Sequence, residues 1–285
     1  MAMYVGLDIG GTKFLAAAGD GKGIIGEVVR VSTPLDLTQG LELLHDLIRK
    51  VAGDTPIAGI GAAIGGPLDW RQGIVSPLHQ PQWRAVPLRQ IIQDRWHCPF
   101  HVDVDTNIAA LGEYHASKER EPRFLYLTLS TGMGGGFLID GKLYRGMNGE
   151  HPEVAHQAIP FRCSHPQRLA CACGNSDCLE ALISGNGIRH AYGKPPEHLS
   201  PEEWEEVAWN LGQGLRNLAA IYAPDVIVLG GGIVHGQGEK LLAPAREVMQ
   251  RHLRIVPVPL VRLSCHGYNT ALAGALTAGR LGLGD

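Results

Sequence analysis

Three apolar runs in this chain each stop at a glycine-rich stretch, which limits the fold to one in which strands end in tight turns. The runs are MYVGLDI before Gly10, RFLYLTL before STGMGGG, and DVIVL before Gly230. Short apolar runs bounded by turn residues are typical of buried strands. Segments with helical apolar spacing, such as residues 41–51, lie between strand-like runs. This alternation predicts an α/β architecture, and its restart near Arg123 predicts two lobes with a cleft between them.

The composition excludes several functional classes. The chain has 285 residues, a formal net charge of −3 and no basic run, so it lacks an electrostatic footprint for nucleic acid. Its first residues lack the charged and apolar regions of a signal peptide, and no apolar run approaches the roughly 18 residues that span a bilayer. We therefore expect a cytoplasmic protein with no nucleic-acid or membrane partner. In a reducing compartment, the six cysteines favour a metal site over disulfides.

The glycine turns predict a nucleotide site. In DIGGTK, glycines let the backbone approach a phosphate, and exposed amides together with Thr12 can donate to its oxygens. A tight hairpin turn explains this motif equally well on its own. STGMGGG after a second strand favours phosphate binding, and the glycines after DVIVL suit close approach to the nucleoside. The predicted nucleotide-binding residues are Asp8, Gly10, Gly11, Thr12, Lys13, Thr131, Gly132, Gly134, Gly230, Gly231 and Gly232.

Two aspartates lie where a strand gives way to a helix in VDVDTN. The position of Asp105 at this junction favours a helix N-cap, and the alternative role is that of a general base at the mouth of the cleft. Asp103, on the strand, is expected to be an ordinary exposed residue.

A cluster of three cysteines predicts a metal centre. Cys171, Cys173 and Cys178 fall within eight positions, and His156 upstream completes a Cys3His set, which is a closed structural zinc site. Other candidate ligands also lie nearby in the sequence, so the ligand set stays open at this point; they are Cys163, His165 and His151. Four protein ligands leave no position for a substrate, so the zinc is expected to be structural.

Together these motifs resemble those of the ROK family of bacterial sugar kinases, repressors and open reading frames, over essentially the whole chain. DIGGTK resembles its first phosphate motif, STGMGGG its second and DVIVLGGG its adenosine-side motif. EVAH (153–156) resembles the E-x-G-H signature, and CACGNSDCLE resembles C-x-C-G-x-x-G-C-L-E. VDTN resembles N-D-A-N, whose aspartate accepts the proton of the sugar hydroxyl.

The resemblance implies a fold of two actin-like, ribonuclease-H-like α/β lobes that close on ATP and a hexose. It implies a small lobe over residues 1–118, joined by a C-terminal helix over 269–282. A large lobe over 119–268 then carries the zinc-binding loop. A homodimer is expected from the family alone.

The resemblance also implies a role for each site residue. Asp105 becomes the catalytic base, Asp8 holds magnesium indirectly, and Asn107 supports the geometry of the site. The zinc stiffens a loop on which Glu180 contacts the sugar near its anomeric end, and His156 lies beside Glu153 near the 2-position. The implied sugar-binding residues are Gly66, His79, Asp105, Glu153, His156 and Glu180. The implied metal ligands are His156, Cys171, Cys173 and Cys178, and the cofactors are ATP, Mg²⁺ and structural Zn²⁺.

Several positions depart from the family pattern. Val104 replaces an asparagine that binds a sugar hydroxyl, and His79 stands where another sugar-binding asparagine is usual. Gly65-Gly66 replaces proline-glycine, and the stretch from His156 to Cys171 is a few residues longer than usual. Loss of two polar side chains that hydrogen-bond to sugar hydroxyls should change sugar selectivity, because a hydroxyl left without a hydrogen bond in a buried site costs binding free energy.

The leading hypothesis is an ATP-dependent kinase acting on the 6-hydroxyl of a hexose. Glucose, allose, N-acetylmannosamine and N-acetylglucosamine are the candidate substrates. A sugar-responsive repressor is the alternative from another class, but such repressors carry a DNA-binding segment before the glycine motif, which here begins at residue 8. A binding-only sugar sensor is a third hypothesis, against which the retained Asp105 and both glycine motifs argue.

Overall fold

A computed structural model of the chain describes residues 2–20 and 23–284. These residues form two units, each with its own sheet and hydrophobic core. Unit 1 comprises the chain up to Arg120, Gly141–Glu150 and the chain from Asn269 onward. Unit 2 comprises Glu121–Asp140 and His151–Tyr268.

The regular elements alternate along the chain as the apolar periodicity predicts. The strands are β1 (Met3–Ile9), β2 (Lys13–Gly19), β3 (Ile24–Ser32), β4 (Ile57–Ile64), β5 (Leu68–Asp69), β6 (Ile74–Val75), β7 (Val86–Pro87), β8 (Phe100–Val104), β9 (Arg123–Leu129), β10 (Met133–Ile139), β11 (Lys142–Leu143), β12 (Val226–Gly230) and β13 (Leu260–Leu263). The α-helices are α1 (Leu37–Ala52), α2 (Leu88–Trp96), α3 (Asp105–Ala116), α4 (Leu179–Ile183), α5 (Gly185–Tyr192), α6 (Pro201–Tyr222), α7 (Gly232–Gln237), α8 (Glu239–His252) and α9 (Thr270–Leu281).

In unit 1 the main sheet has the order β3-β2-β1-β4-β8. Strands β1, β2 and β3 are antiparallel neighbours, whereas β1, β4 and β8 run parallel. Helix α9 packs against β4 and α3 through glycines, since a Cβ at Gly61 would collide with the carbonyl of Ala275 and one at Gly274 with that of Ile108. The small residues of TALAGALTAG therefore allow this helix to approach the sheet backbone closely.

In unit 2 the strands run in the order β10-β9-β12-β13, with β9, β12 and β13 parallel. Helix α6 begins with a capping box, for which residues 200–203, SPEE, carry the sequence signature. The Ser200 hydroxyl accepts from the Glu203 amide at 3.3 Å, and the Glu203 carboxylate accepts from the Ser200 amide at 2.6 Å. These two bonds satisfy amides that the first turn of a helix leaves unpaired.

The structure differs from the sequence predictions in three places. Gly141–Glu150, expected in the large lobe, belongs to unit 1, because its Gly149 and Arg145 lie against Trp70 and Asp103 of that unit. Gly134 lies inside strand β10 rather than in a turn. Helices α4, α5 and α7 and the small β5-β6-β7 sheet were not predicted. Within residues 2–20 and 23–284, no helix is long and apolar enough to span a membrane.

Candidate active site

The parallel strands of unit 1 bring three predicted functional segments to one edge of the sheet. Asp8 on β1 is aligned with Ala63 on β4, which is aligned with Asp103 on β8. Because the carboxyl ends of parallel strands lie at the same edge, the Gly10-Gly11 turn, Gly66 and Asp105 follow their strands there. This edge collects the first glycine motif and both predicted active-site carboxylates.

The first glycine motif forms a tight turn between β1 and β2, with Gly11, Thr12 and Lys13 exposed. The Gly10 amide donates to the Lys13 carbonyl at 3.0 Å, and the Gly10 carbonyl accepts from the Thr33 hydroxyl at 2.6 Å. A Cβ at Gly11 would lie 2.7 Å from the Cβ of His79, so only glycine fits against this side chain. The hairpin interpretation is therefore right for the backbone, and the exposed turn also remains accessible to an anion.

The carboxylates of Asp8 and Asp105 interact electrostatically. Burial and, to a smaller extent, the negative charge of Asp105 together raise the pKa of Asp8 to about 6, against the opposing effects of Lys13 and Arg30. A cation bound between such groups would relieve this repulsion, which fits the expected magnesium site.

Asp105 is not the N-cap of α3. It is the first residue of the helix, and the cap position is occupied by Val104, which makes no side-chain cap hydrogen bond. The Asp105 carboxylate is exposed and accepts from the adjacent Thr106 amide at 2.8 Å. This exposure leaves the Asp105 carboxylate accessible to a bound hydroxyl group, which suits a general base.

Two neighbours of Asp105 bear on substrate recognition. Val104 is only 7% exposed, and a Cβ at Gly66 would lie 3.4 Å from its Cγ1. The Leu78 amide donates to the Gly66 carbonyl at 3.0 Å, which holds the segment carrying the exposed His79 beside the end of β4. The expected sugar-binding positions Gly66, His79 and Asp105 thus lie on neighbouring segments of unit 1.

The expectation that Asp103 is exposed is wrong. Asp103 is 1% exposed, and it accepts from the Val104 amide at 2.7 Å and from the Asn107 side chain at 3.2 Å. Its other oxygen lies 2.6 Å from a guanidinium nitrogen of Arg145. No local pattern indicates that Asp103 is buried, because its partner Arg145 is distant along the chain.

In unit 2 the predicted zinc ligands come together. One ligand atom from each of His156, Cys171, Cys173 and Cys178 lies within 4.8 Å of all the others. The Cys173 and Cys178 sulfurs are 3.8 Å apart, and the Cys171 sulfur is 3.7 Å from Nδ1 of His156. Zinc–sulfur bonds of about 2.3 Å and zinc–nitrogen bonds of about 2.0 Å in a tetrahedron require separations of roughly 3.8 and 3.5 Å. These four residues therefore fit a tetrahedral zinc ion.

The protonation of the three thiols also bears on metal binding. Burial raises the pKa of Cys171 and of Cys178, whereas the backbone hydrogen bond from Asn175 lowers the pKa of Cys173. Zinc binds thiolates, so metal binding here would release protons and weaken in acid.

The alternative ligands Cys163 and His165 are engaged elsewhere. The Cys163 sulfur accepts from the His165 amide at 3.4 Å, and the His165 ring contacts that of Tyr192. His151 lies 3.6 Å from one oxygen of Glu153, while Nε2 of His156 lies 3.7 Å from the other. A carboxylate beside the second ring nitrogen of a ligating histidine is a common way to orient the ring.

Glu180 connects the cysteine cluster to the second glycine motif. One oxygen accepts from the Met133 amide at 2.9 Å, and the other accepts from the Cys171 thiol at 3.3 Å. Glu180 lies in the first turn of α4, directly after Cys178 and Leu179. Glu153, His156 and Glu180, the other three expected sugar-binding residues, thus belong to one connected region of unit 2.

The loop between His156 and Cys171 is anchored by polar residues of α6. The side chain of Asn210, which is 0% exposed, accepts from the Arg162 amide and donates to the Arg162 carbonyl, both at 2.8 Å. One turn earlier, Glu206 accepts from the Ser164 amide at 3.0 Å and from its hydroxyl at 2.6 Å. These bonds fix the path of the loop that leads to the cysteines.

The remaining glycine motifs lie at the carboxyl ends of parallel strands β9 and β12. Thr131 and Gly132 form the turn after β9, and Gly231 follows β12 with a φ of 91°. A Cβ at Gly231 would collide with the Leu129 carbonyl, so this glycine permits close approach of the two strand ends. Gly134 continues into β10, whereas Gly230 ends β12 and Gly232 begins α7.

Helix α5, which supports the turn after β9, was not predicted from the sequence. The first amides of α5, from Gly185 and Asn186, donate to the carbonyls of Ser130 and Thr131 at 2.8 and 2.9 Å. The available signal was Ser184 before a glycine-rich run, because serine caps α5 by accepting from the Gly187 amide at 3.0 Å.

A cavity of about 380 Å³ opens beside these turns. Its walls include Thr131, Gly232, Arg189, Glu197 and Trp204. This volume lies within the usual range for small-ligand sites, and the walls combine an aromatic ring with charged groups. Arg189, Glu197 and Trp204 were not predicted, because they lie outside the glycine motifs, on α5, between α5 and α6, and on α6.

Comparison with known proteins identifies the family. A family model described as the ROK family matches residues 4–278. The chain belongs to the ROK family.

Among ROK relatives, a fructokinase from Zymomonas mobilis is 33% identical over 261 residues, which cover 86% of this chain and 83% of that protein. The crystal structure of a ROK hexokinase from Thermus thermophilus is 31% identical, covers 98% of both chains and superposes with a TM-score of 0.82. A ROK family glucokinase from Streptomyces griseus, solved in complex with glucose and AMPPNP, is 26% identical and covers 98% of this chain and 99% of its own, with a TM-score of 0.79. These similarities confirm the predicted actin-like, ribonuclease-H-like α/β fold.

Proposed function

We propose that this ROK protein is an ATP-dependent kinase that phosphorylates the 6-hydroxyl of a hexose. The observation that carries the proposal is the edge of the unit 1 sheet, where the exposed glycine turn follows β1 and Asp105 follows β8. The mutual repulsion of Asp8 and Asp105 is additional support, because phosphoryl transfer requires a base and a magnesium ion near the phosphates. The similarity to a hexokinase and a glucokinase points to the same chemistry.

In the proposed reaction Asp105 accepts the proton of the 6-hydroxyl. The hydroxyl oxygen forms a bond to the γ-phosphorus of ATP as the bond from that phosphorus to the bridging oxygen breaks, which releases ADP. The Gly11 amide and the Thr12 hydroxyl, in the exposed part of the turn, would donate to the phosphate oxygens. Asp8 would hold Mg²⁺ indirectly, and the ion would supply positive charge to neutralise the charge that develops on the phosphates.

We assign the nucleoside part of ATP to the 380 Å³ cavity of unit 2. Its position beside Thr131 and Gly232, from the second and third glycine motifs, supports this assignment. The aromatic ring of Trp204 offers apolar surface for a purine, and the guanidinium of Arg189 offers a positive charge.

The zinc site would organise the sugar-binding loop rather than take part in the reaction. His156, Cys171, Cys173 and Cys178 would fill all four positions around the ion. With the loop held, Glu153 and Glu180 would be preorganised to accept hydrogen bonds from sugar hydroxyls.

We further propose that the preferred hexose differs from glucose at the 2-, 3- or 4-position. The side chain of Val104 cannot hydrogen-bond, and it packs beside Gly66. A ROK kinase usually has at the position of Val104 an asparagine that binds a sugar hydroxyl. His79 can make a hydrogen bond, but with a different reach from asparagine. Candidates include allose and the N-acylhexosamines N-acetylmannosamine and N-acetylglucosamine.

An ATP-consumption assay over a panel of hexoses and N-acylhexosamines tests the proposal. We expect turnover with at least one sugar, and the folded Asp105→Asn variant should bind that sugar but turn it over about 10²- to 10⁴-fold more slowly. Sugar binding without ATP consumption in the wild type would instead indicate a sugar-responsive regulator or sensor. Near-normal turnover by Asp105→Asn would contradict the assignment of the base.

A further inference from the structure

Asp103 is a buried carboxylate two residues before the proposed base. One of its oxygens accepts from the Val104 amide and the Asn107 side chain, which belong to the end of β8 and the first turn of α3. Asp103 therefore bridges the strand and the helix whose junction carries Asp105. The orientation of this junction depends on where the Asp103 carboxylate points.

The second oxygen of the Asp103 carboxylate faces Arg145. The two groups form an ion pair at 2.6 Å, with side-chain exposures of 2% for Asp103 and 14% for Arg145. The Arg145 guanidinium also lies over the ring of Trp70, 4.1 Å from its centroid. The Trp70 carbonyl accepts from Arg89 at 2.8 Å, and a Cβ at Gly149 would lie 2.8 Å from the indole nitrogen, so the ring is closely confined.

Asp103 and Arg145 interact through their opposite charges as well as through packing contacts. A buried carboxylate without a partner is costly, so it reorients or takes up a proton when its partner is removed. Either change alters the bonds from Asp103 to Val104 and Asn107. We propose that Arg145 is a positioning residue for Asp105, acting through the buried carboxylate of Asp103; this inference rests on the proposed kinase function.

Replacement of Arg145 by methionine tests the inference. Arg145→Met should lower kcat by about tenfold or more, because small displacements of a catalytic group are costly, while the KM for ATP stays within about twofold. Addition of Asp103→Asn should restore much of kcat, since an asparagine needs no countercharge and its oxygen still accepts from Val104 and Asn107. Arg145→Lys should retain intermediate activity, because it keeps the charge and loses the planar group stacked on Trp70.

Arg49→Met is the matched control. Arg49 forms an ion pair of the same 2.6 Å length with Asp46 in the same unit, but the two side chains are 54% and 67% exposed. Its loss should leave kcat within about twofold, since exposed pairs contribute little. Amide hydrogen exchange over residues 103–107 provides a readout that requires no turnover: exchange should accelerate in Arg145→Met and slow again in the double variant.

Each alternative outcome is distinguishable. A folded Arg145→Met with wild-type kcat, or a double variant no better than Arg145→Met, would overturn the inference while leaving the kinase function intact. If the wild type consumes no ATP with any sugar, the proposed function fails, and hydrogen exchange alone decides whether Arg145 orders the Asp103–Asn107 turn. If Arg145→Met does not fold, recovery of folding and kcat in the double variant supports the inference, and a folded but inactive double variant contradicts it.

Discussion

Replacement of Asn210 by alanine should loosen the loop between His156 and Cys171 without touching any of the proposed metal ligands. The Asn210 side chain is fully buried and makes two hydrogen bonds of 2.8 Å to the backbone of Arg162. A hydrogen bond of this kind contributes about 1 kcal/mol net, and the exposed Arg162 segment can rehydrate, so the loss of both should cost about 2 kcal/mol. The same loss should lower the melting temperature by about 4–8 °C.

Urea denaturation and zinc release to a chelator measure these effects separately. We expect Asn210→Ala to unfold at lower urea and to release zinc faster than the wild type, because the loop between His156 and Cys171 loses its anchor on α6. The KM for the sugar should rise more than the KM for ATP, since Glu153 and Glu180 adjoin the loop.

Asn217→Ala is the control on the same helix. Asn217 donates to the Ala158 carbonyl at a longer distance of 3.4 Å in an exposed position. Its replacement should change stability by no more than about 0.5 kcal/mol. If the Asn210 and Asn217 variants unfold and release zinc alike, the reasoning from buried backbone contacts is refuted.

Three further predictions concern the metal, the sugar and pH. Elemental analysis should find about one zinc per chain, retained in Cys163→Ser and lost in Cys173→Ser; the reverse pattern would exclude the assigned ligands. Val104→Asn should raise kcat/KM for glucose relative to the sugar that the wild type prefers, and a wild type that already favours glucose by about tenfold, or 1.4 kcal/mol, would contradict the specificity argument. Because the folded pKa of Asp8 is raised to about 6 from 3.8, its charge costs no stability below about pH 4 and costs up to roughly 3 kcal/mol above pH 6. In the absence of nucleotide and magnesium, the Asp8→Asn variant should therefore become more stable than the wild type as the pH rises from 4 to 7. If the difference in stability between the two proteins is the same at pH 4 and at pH 7, this reasoning is refuted.

The sequence by itself determined most of the longer regular elements and the fold class, because both depend on local patterns. The apolar runs at β1, β9 and β12 end at glycines as predicted, and the capping box at Ser200 marks the start of α6. The cysteine cluster could be found for the same reason, since three of its four members lie within eight positions and fold as one short segment.

Tertiary structure alone decided the features that join residues distant along the chain. Asp103 is buried because Arg145 reaches it from the Gly141–Glu150 segment, and Asn210 holds Arg162 across 48 positions. Helix α5 supports the turn at Thr131 only because the chain returns to it more than fifty residues later. Such pairs leave no periodicity or motif in the sequence, since each member is an ordinary polar residue until folding removes water from around it and makes an unpaired charge or amide costly.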